Sequence, residues 1–258
     1  MNLIRLFAKA LLVSLAVCII LPAPLEAVPL SGNYSVGGVG ANFATLSAAL
    51  NAAQTEGLSG TTNLILNAGT YSGPFEINLP ANNHTLMVRA AENATVILNN
   101  PDASSAQNYI FYINSTPKVY LQDLRFEASG SYARGLWVHG DSDDLSVVSC
   151  TFVNTDSANS SEAIYVTADG SNDADDVLIA LNSFQYGYAH IYTNTYHGAT
   201  NFSGWELYLN HHNSAYYGVY IKQASDLEIN ALITQNVNSA VVLDQCSGNL
   251  DMQRNNIS

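Results

Sequence analysis

The stretch GVYIKQ, residues 218–223, holds the question that decides the fold. In a strand, Val219 and Ile221 share one face and Tyr220 points the other way, beside Lys222. If the apolar pair faces a core, the ring is outside. The same apolar–aromatic–apolar triplet recurs at Ile110-Phe111-Tyr112, Leu136-Trp137-Val138, Ile164-Tyr165-Val166 and Ile191-Tyr192-Thr193, and in weaker form at Val241-Val242-Leu243. The steps between copies, with the 218–223 copy in its place, are 26, 28, 27, 28 and 22 residues. Tyr220 is therefore one rung of a periodic array.

A second motif follows each triplet, of the form apolar-x-apolar-x-x-Z-x-apolar. Its copies are VYLQDLRF (119–126), LSVVSCTF (145–152), VLIALNSF (177–184), LYLNHHNS (207–214), LEINALIT (227–234) and LDMQRNNI (250–257). Read in register, the slot Z holds Cys150, Asn182, His212, Leu232 and Asn255, with Leu209 among the inward residues of the fourth copy. One such unit cannot bury its own apolar face, but a stack of them can. The pattern predicts a parallel β-solenoid with coils about 4.8 Å apart. Chain corners fall inside the second motif, where a buried Asn row can satisfy itself by hydrogen bonds along the stack.

The N-terminal part agrees. Leu64 and Leu66, Phe75 and Ile77, Leu86 and Val88, and Val96 and Leu98 alternate as strands. Ahead of them, residues 43–56 read as a helix with Asn42 as N-cap. Leu46, Leu50 and Ala53 lie on one side, and Gly57 is the stop. An open solenoid end needs a lid, so this helix is read as an N-terminal cap. The other end carries no matching lid, which leaves room for a partner or a further segment there.

Residues 1–27 stand apart. Arg5 and Lys9 precede a short apolar run, and Ala27 ends a small-residue site, the pattern of a secretory signal peptide. The run is too short to span a bilayer, so no membrane span is expected in the mature chain, residues 28–258. Net charge is −13 with only 8 Lys plus Arg, which argues against nucleic acid as partner. Beyond the leader only Cys150 and Cys246 remain, in copies far apart along the stack, so both are expected as free thiols.

LSGNYSVGGVGANFATLSAALNAAQTEGLSGTTNLILNAGTYSGPFEI, residues 30–77, closely resembles the start of secreted bacterial right-handed parallel β-helix proteins of the pectin-lyase-like superfamily. Within it, GTYSGPFEI (69–77) is similar to a first-coil motif of that superfamily. The resemblance implies an all-β right-handed parallel β-helix and extracellular placement. It does not fix an activity, because the superfamily holds lyases, hydrolases and esterases. Asn154-Thr155-Asp156 resembles the first motif of the polygalacturonases, without the carboxylate pair, histidine and basic triplet that complete that set. Gln122-Asp123 is the only echo of a pectin methylesterase. A polysaccharide lyase needs a cationic base and often Ca²⁺. The cations weighed for that role are Arg89, Lys118, Arg125, Arg134, Lys222 and Arg254, and Lys222 has Asp244 one coil on as a ready ion-pair partner.

Two surfaces attract attention. On the outer face, Phe111, Trp137, Tyr165, Tyr192, Tyr220 and Val242 occupy one position on six coils. One flank, Tyr109, Gly135, Ala163, His190, Gly218 and Ala240, is mostly small. The other, Ile113, His139, Thr167, Asn194, Lys222 and Asp244, is mostly polar. Rings beside hydrogen-bonding groups suit a glycan chain. They equally suit a ladder of rings that supports itself. Of the polar groups, His139, Asn194 and Lys222 are the candidate sugar contacts. The second surface is an acidic edge. GDSDD (140–144) and DGSNDADD (169–176) put Asp141, Asp143 and Asp144 one coil from Asp169, Asp173, Asp175 and Asp176. Hard oxygen ligands at that density suit Ca²⁺, and the same residues suit solvated turns. The function read from these features is an exported non-catalytic glycan-binding or adhesin-like module, with a Ca²⁺-assisted lyase as the alternative.

Overall fold

The computed structural model describes residues 28–79, 84–101, 103–104, 107–129, 134–154, 161–169, 173–196 and 202–258. The leader read at 1–27 lies outside them. Within them the alternating pattern folds as a right-handed parallel β-helix, with a strand of each coil on each of three faces. The first face is a nine-stranded sheet running from Leu30–Val36 to Ser247–Gln253. The other two faces belong to one thirteen-stranded sheet. In earlier coils these faces hold separate strands, as in Thr151–Asn154 and Glu162–Asp169. In the later coils His211–Lys222 and Ile233–Asp244 run through both as single 12-residue strands.

Parallel pairing in register stacks like positions into rows. On the first face Leu64, Val88, Leu121, Val147, Ile179, Leu207 and Ile229 form one buried row. Full burial of such a side chain is worth about 1.5–3 kcal/mol, which no single coil could collect alone. On the second face Leu98, Phe126, Phe152 and Phe184 line up, with ring centroids 4.6 Å and 5.1 Å apart in the two phenyl pairs. At the far end the rows run out into solvent, where Leu250, Met252 and Ile257 are exposed.

Between the first and second faces the chain turns in two residues. The first takes a left-handed backbone: Asp123, Ser149, Leu181, Leu209, Ala231 and Arg254, with φ between 51° and 60°. The second points inward and builds a corner row of Leu124, Cys150, Asn182, Asn210, Leu232 and Asn255. Asn182 Oδ1 accepts from Cys150 N at 2.8 Å, and Asn210 Oδ1 accepts from Asn182 N at 3.1 Å. Their Nδ2 groups donate to Val147 O and Ile179 O. The buried amides thus satisfy themselves along the stack, as the pattern predicts.

The fourth copy of the motif needs correction. Asn210, not His212, fills the corner, and Leu209 is a 40 % exposed left-handed residue rather than an inward one. The inward pair is Trp205 and Leu207. His212 lies one row further on, stacked against Phe184 at 4.8 Å. The Leu-Asn pair repeated at 181–182 and 209–210 sets this register, and an apolar-x-apolar match through Leu209 slips it by two residues.

The helix spans Leu46–Glu56 and brings Leu46, Ala49, Leu50 and Ala53 into the same core. Its N-cap is Thr45 rather than Asn42: Thr45 Oγ1 accepts from Ala48 N at 3.1 Å. Asn42 instead accepts from Ser35 N on the first strand. Gly57, at φ 79°, ends the helix and donates to Ala53 O. Cys150 and Cys246 are free thiols, and burial pushes the Cys150 thiol up to about 12.

Candidate functional site

The rings lie on the outer side of the third face. In register, Tyr112 pairs with Trp137, Trp137 with Tyr165, Tyr165 with Tyr192, Tyr192 with Tyr220, and Tyr220 with Val242. Phe111 is not part of this row. It is fully buried opposite Leu136, and Tyr112 holds the outward place. The inward partner on that coil is Ile113, which removes it from the polar flank and puts Asn114 there. The sequence carries the signal, since ring-apolar-polar aligns Tyr112-Ile113-Asn114 with Trp137-Val138-His139.

The small flank also behaves differently. Two consecutive residues turn inward where the second face bends into the third, so Ala163 and His190 are buried along with Ile164 and Ile191. Gly135 is small for packing reasons: a Cβ there would meet Phe152 Cδ1 at 2.8 Å and Ala163 O at 2.7 Å. Flanking the rings outside is the row one residue earlier, with Tyr109, Arg134, Glu162, Ala189, Tyr217 and Ser239. Sequence reasoning missed this row because it assumed unbroken alternation.

The toward-N-terminus half of the strip is a clamp. Arg134 Nε bonds Glu162 Oε2 at 2.9 Å. The guanidinium lies 3.9 Å from the Tyr165 ring centroid and 5.1 Å from that of Trp137. Tyr109 OH donates to Glu76 Oε1. Trp137 Nε1 donates to Thr167 Oγ1 at 3.0 Å, and His139 Nδ1 meets the same hydroxyl at 3.0 Å. Asn194 Nδ2 donates to Tyr165 OH. Tyr165 is left only 7 % exposed.

The other half is a stack. Tyr192 and Tyr220 lie face to face at 4.8 Å and 15°, and Tyr188 and Tyr216 at 5.7 Å and 5°. Tyr217 stands edge-on to Tyr188 and Tyr216 and joins them to Tyr220. Burial, then the neighbouring tyrosines, pushes the Tyr192 phenol up to about 12. Rings this close cover each other's faces, so no sugar enters between two rungs. What reaches solvent is ring edges, hydroxyls and the faces at the end of each stack. Lys222 stands in register with Asp244, whose carboxylate accepts from Tyr220 OH at 3.4 Å.

Beneath this half, the phenyl row gives way to histidines. His190 Nε2 faces Tyr186 O at 3.1 Å, which makes it the donor and leaves His190 Nδ1 to accept from His212 Nδ1 at 3.0 Å. His212 Nε2 then has no partner. Burial lowers both, His190 to about 3.

On the acidic edge, the carboxylates act on the backbone. Asp143 Oδ1 accepts from Asp175 N at 2.9 Å, and Asp175 Oδ1 accepts from Ser203 N at 2.7 Å. Asp144 and Asp176 are the left-handed residues of the two turns. Burial raises the Asp143 carboxyl, and the charges of Asp141 and Asp175 push in the same direction. Ser171 and the Asp169 side chain lie outside the described residues. Among the described residues no group of three His, Cys, Asp or Glu stands ready to hold a metal ion. None of their helices is long and apolar enough to cross a membrane.

No protein-family model and no curated protein matches the chain. Solved structures do. A rhamnogalacturonan lyase superposes at TM-score 0.51 and 10 % identity over 86 % of this chain, which spans only 62 % of that one. PfbA, a surface adhesin of Streptococcus pneumoniae, superposes at TM-score 0.50 and 13 % identity, over 83 % of this chain and 76 % of the adhesin. The pectin methylesterase of Aspergillus niger gives TM-score 0.45 at 11 % identity, over 90 % and 88 % of the two chains. The fold is the parallel β-helix, which the rhamnogalacturonan lyase and the adhesin share. By itself it does not choose between turnover and binding.

Proposed function

We propose that this chain is an exported, non-catalytic β-helix module that holds glycan on the outer aromatic strip of its third face, in an adhesin-like surface role. The observation that carries the reading is the run of rings in register on successive coils, part of it open to solvent and bordered by Asn194, Lys222 and Asp244. The sequence also lacks a complete carboxylate-and-base set for any of the three chemistries weighed above. Affinity electrophoresis on neutral and acidic polysaccharides, with a parallel assay for unsaturated uronate product, tests it. Retardation without turnover supports the module. Turnover on any of these polymers overturns it.

A second reading, the Ca²⁺-assisted lyase, rests on the acidic edge, where Asp141 and Asp175 both act on Asp143. A metal bound there would raise the melting temperature by mass action. Identical melting curves in EDTA and in millimolar-range Ca²⁺ would leave these aspartates as turn residues.

A further inference from the structure

The two tyrosine stacks end on the same coil. Tyr216 and Tyr220 are their last rings. Both stacks run along the helix axis, so the far face of each ring looks toward the next strand, Ile233–Asp244. That strand offers no ring to cover them: Tyr217 pairs with Ser239 and Tyr220 with Val242. The ladder therefore stops at a step, with two ring faces above a strand that carries no ring and edge-on Tyr217 between them. Tyr216 is 49 % exposed. Within the row, Tyr192 lies between Tyr165 and Tyr220, and Arg134 lies over Tyr165.

Arg134 is held by Glu162, and Glu76 accepts from Tyr109. Lys222 is the cation nearest the step; the Asp244 carboxylate stands beside it in register, and the chain as a whole carries −13, so the local and overall charge disfavour a uronate. C–H faces of a sugar can lie on the two open rings without any counter-charge.

We propose that this step, formed by Tyr216, Tyr217 and Tyr220 over Ser239 and Val242, is the sugar-binding subsite, and that it takes uncharged sugar units rather than uronates. The proposal rests on the glycan reading above and narrows it to one place and one ligand class.

The test extends the ladder. Val242→Tyr adds the missing ring and covers the Tyr220 face; Val242→Ser leaves it open and checks that the position itself tolerates change. Cellohexaose and N-acetylchitohexaose serve as uncharged probes and hexagalacturonate as the charged one, all followed by titration calorimetry on the full chain. The expected result is binding of at least one uncharged probe with little dependence on salt. Val242→Tyr should weaken it about fivefold or more, with the melting temperature unchanged or raised. Val242→Ser should keep it. Uncharged binding that survives Val242→Tyr overturns the subsite and leaves the glycan reading standing. Preference for hexagalacturonate overturns the ligand class alone. Silence from all three probes removes the inference and the reading beneath it together.

Discussion

The two halves of the aromatic strip use the same residues for opposite ends. Around Trp137 and Tyr165, rings are locked by a guanidinium, a carboxylate and a threonine, and little of Tyr165 reaches water. Around Tyr192, Tyr216 and Tyr220, rings touch mainly one another and end on an uncovered step. An outward aromatic row is thus not one kind of surface. What a ring can do depends on whether its face is already taken, and that is decided by the row beside it.

The largest effects are expected in the clamp. Tyr165→Ala removes a nearly buried ring together with the surface on which Arg134 lies, and should cost about 3 kcal/mol. Arg134→Ala strands Glu162, which is 4 % exposed, and should cost a similar amount, because a buried charge left alone is worse than a pair. The double variant should cost clearly less than the sum, since both changes break the same contact. Urea denaturation of the three variants checks this. Simple additivity would mean that the two halves of the strip do not differ in the way described.

Acid should separate the halves next. The core below the clamp is phenyl on phenyl, whereas the core below the stack holds the neutral His190–His212 pair. A histidine at about 3 when folded and about 6.5 when unfolded binds fewer protons in the folded state throughout that interval. Stability therefore falls as pH drops from about 6.5 toward 3. His190 alone contributes a loss of about 2 kcal/mol between pH 6.5 and 4.5. Asp143, whose carboxyl is raised, works weakly in the other direction. Hydrogen exchange at pH 5 should accelerate around Phe184–Val219 before it does around Phe126–Val138. His212→Phe continues the phenyl row and removes the unpartnered Nε2, so it should flatten the acid dependence of the melting temperature. Equal acid sensitivity in parent and variant would remove the histidines as its cause.

These features were unequally legible in the sequence. The solenoid and its rows were readable, because burial on one face imposes period two and each coil repeats it: Leu121, Val147 and Ile179 announce themselves. Asn182 and Asn255 at the corner were readable for the same reason; Asn210 was not, because the match through Leu209 slips the register by two residues. Arg134 and Glu162 were not, because two successive inward residues at the bend break the alternation on which the reading depends. Phe111 was misplaced for a related reason. Next to Ile110 and before Tyr112, either aromatic satisfies the local pattern, and only pairing with Leu136 decides which one is buried. The tyrosines at 188, 216 and 217 lie across a corner from the ladder, and contact across a corner leaves no periodic trace.

In the stack, removing a ring should be mild. Tyr220→Ala loses one face-to-face partner and the bond to Asp244, and should cost about 1 kcal/mol of stability. On the reading proposed above it should also abolish binding of an uncharged hexasaccharide, whereas Tyr165→Ala should leave affinity nearly unchanged in whatever fraction stays folded. Melting curves and calorimetry on the same two proteins give both quantities. A large stability loss at Tyr220 with no change in affinity would make the stack a second clamp.

The smallest expected effect lies at the corner that both halves share, and it has the opposite sign. Leu209 and Leu181 hold left-handed backbones at φ 51° and 60°, and both are largely exposed. A leucine there bears the cost of the left-handed region and recovers little from burial, whereas asparagine adopts that conformation more easily. Leu209→Asn and Leu181→Asn should each raise stability by about 0.5–1 kcal/mol. The gains should add, because the two side chains face solvent on separate coils. The neighbouring Asn210 and Asn182, which carry the corner hydrogen bonds, are untouched. A loss at either site would mean that the leucine covers apolar surface that its exposure conceals. A gain at Leu181 but not at Leu209 would place a difference between the halves in the backbone itself, beneath the rings.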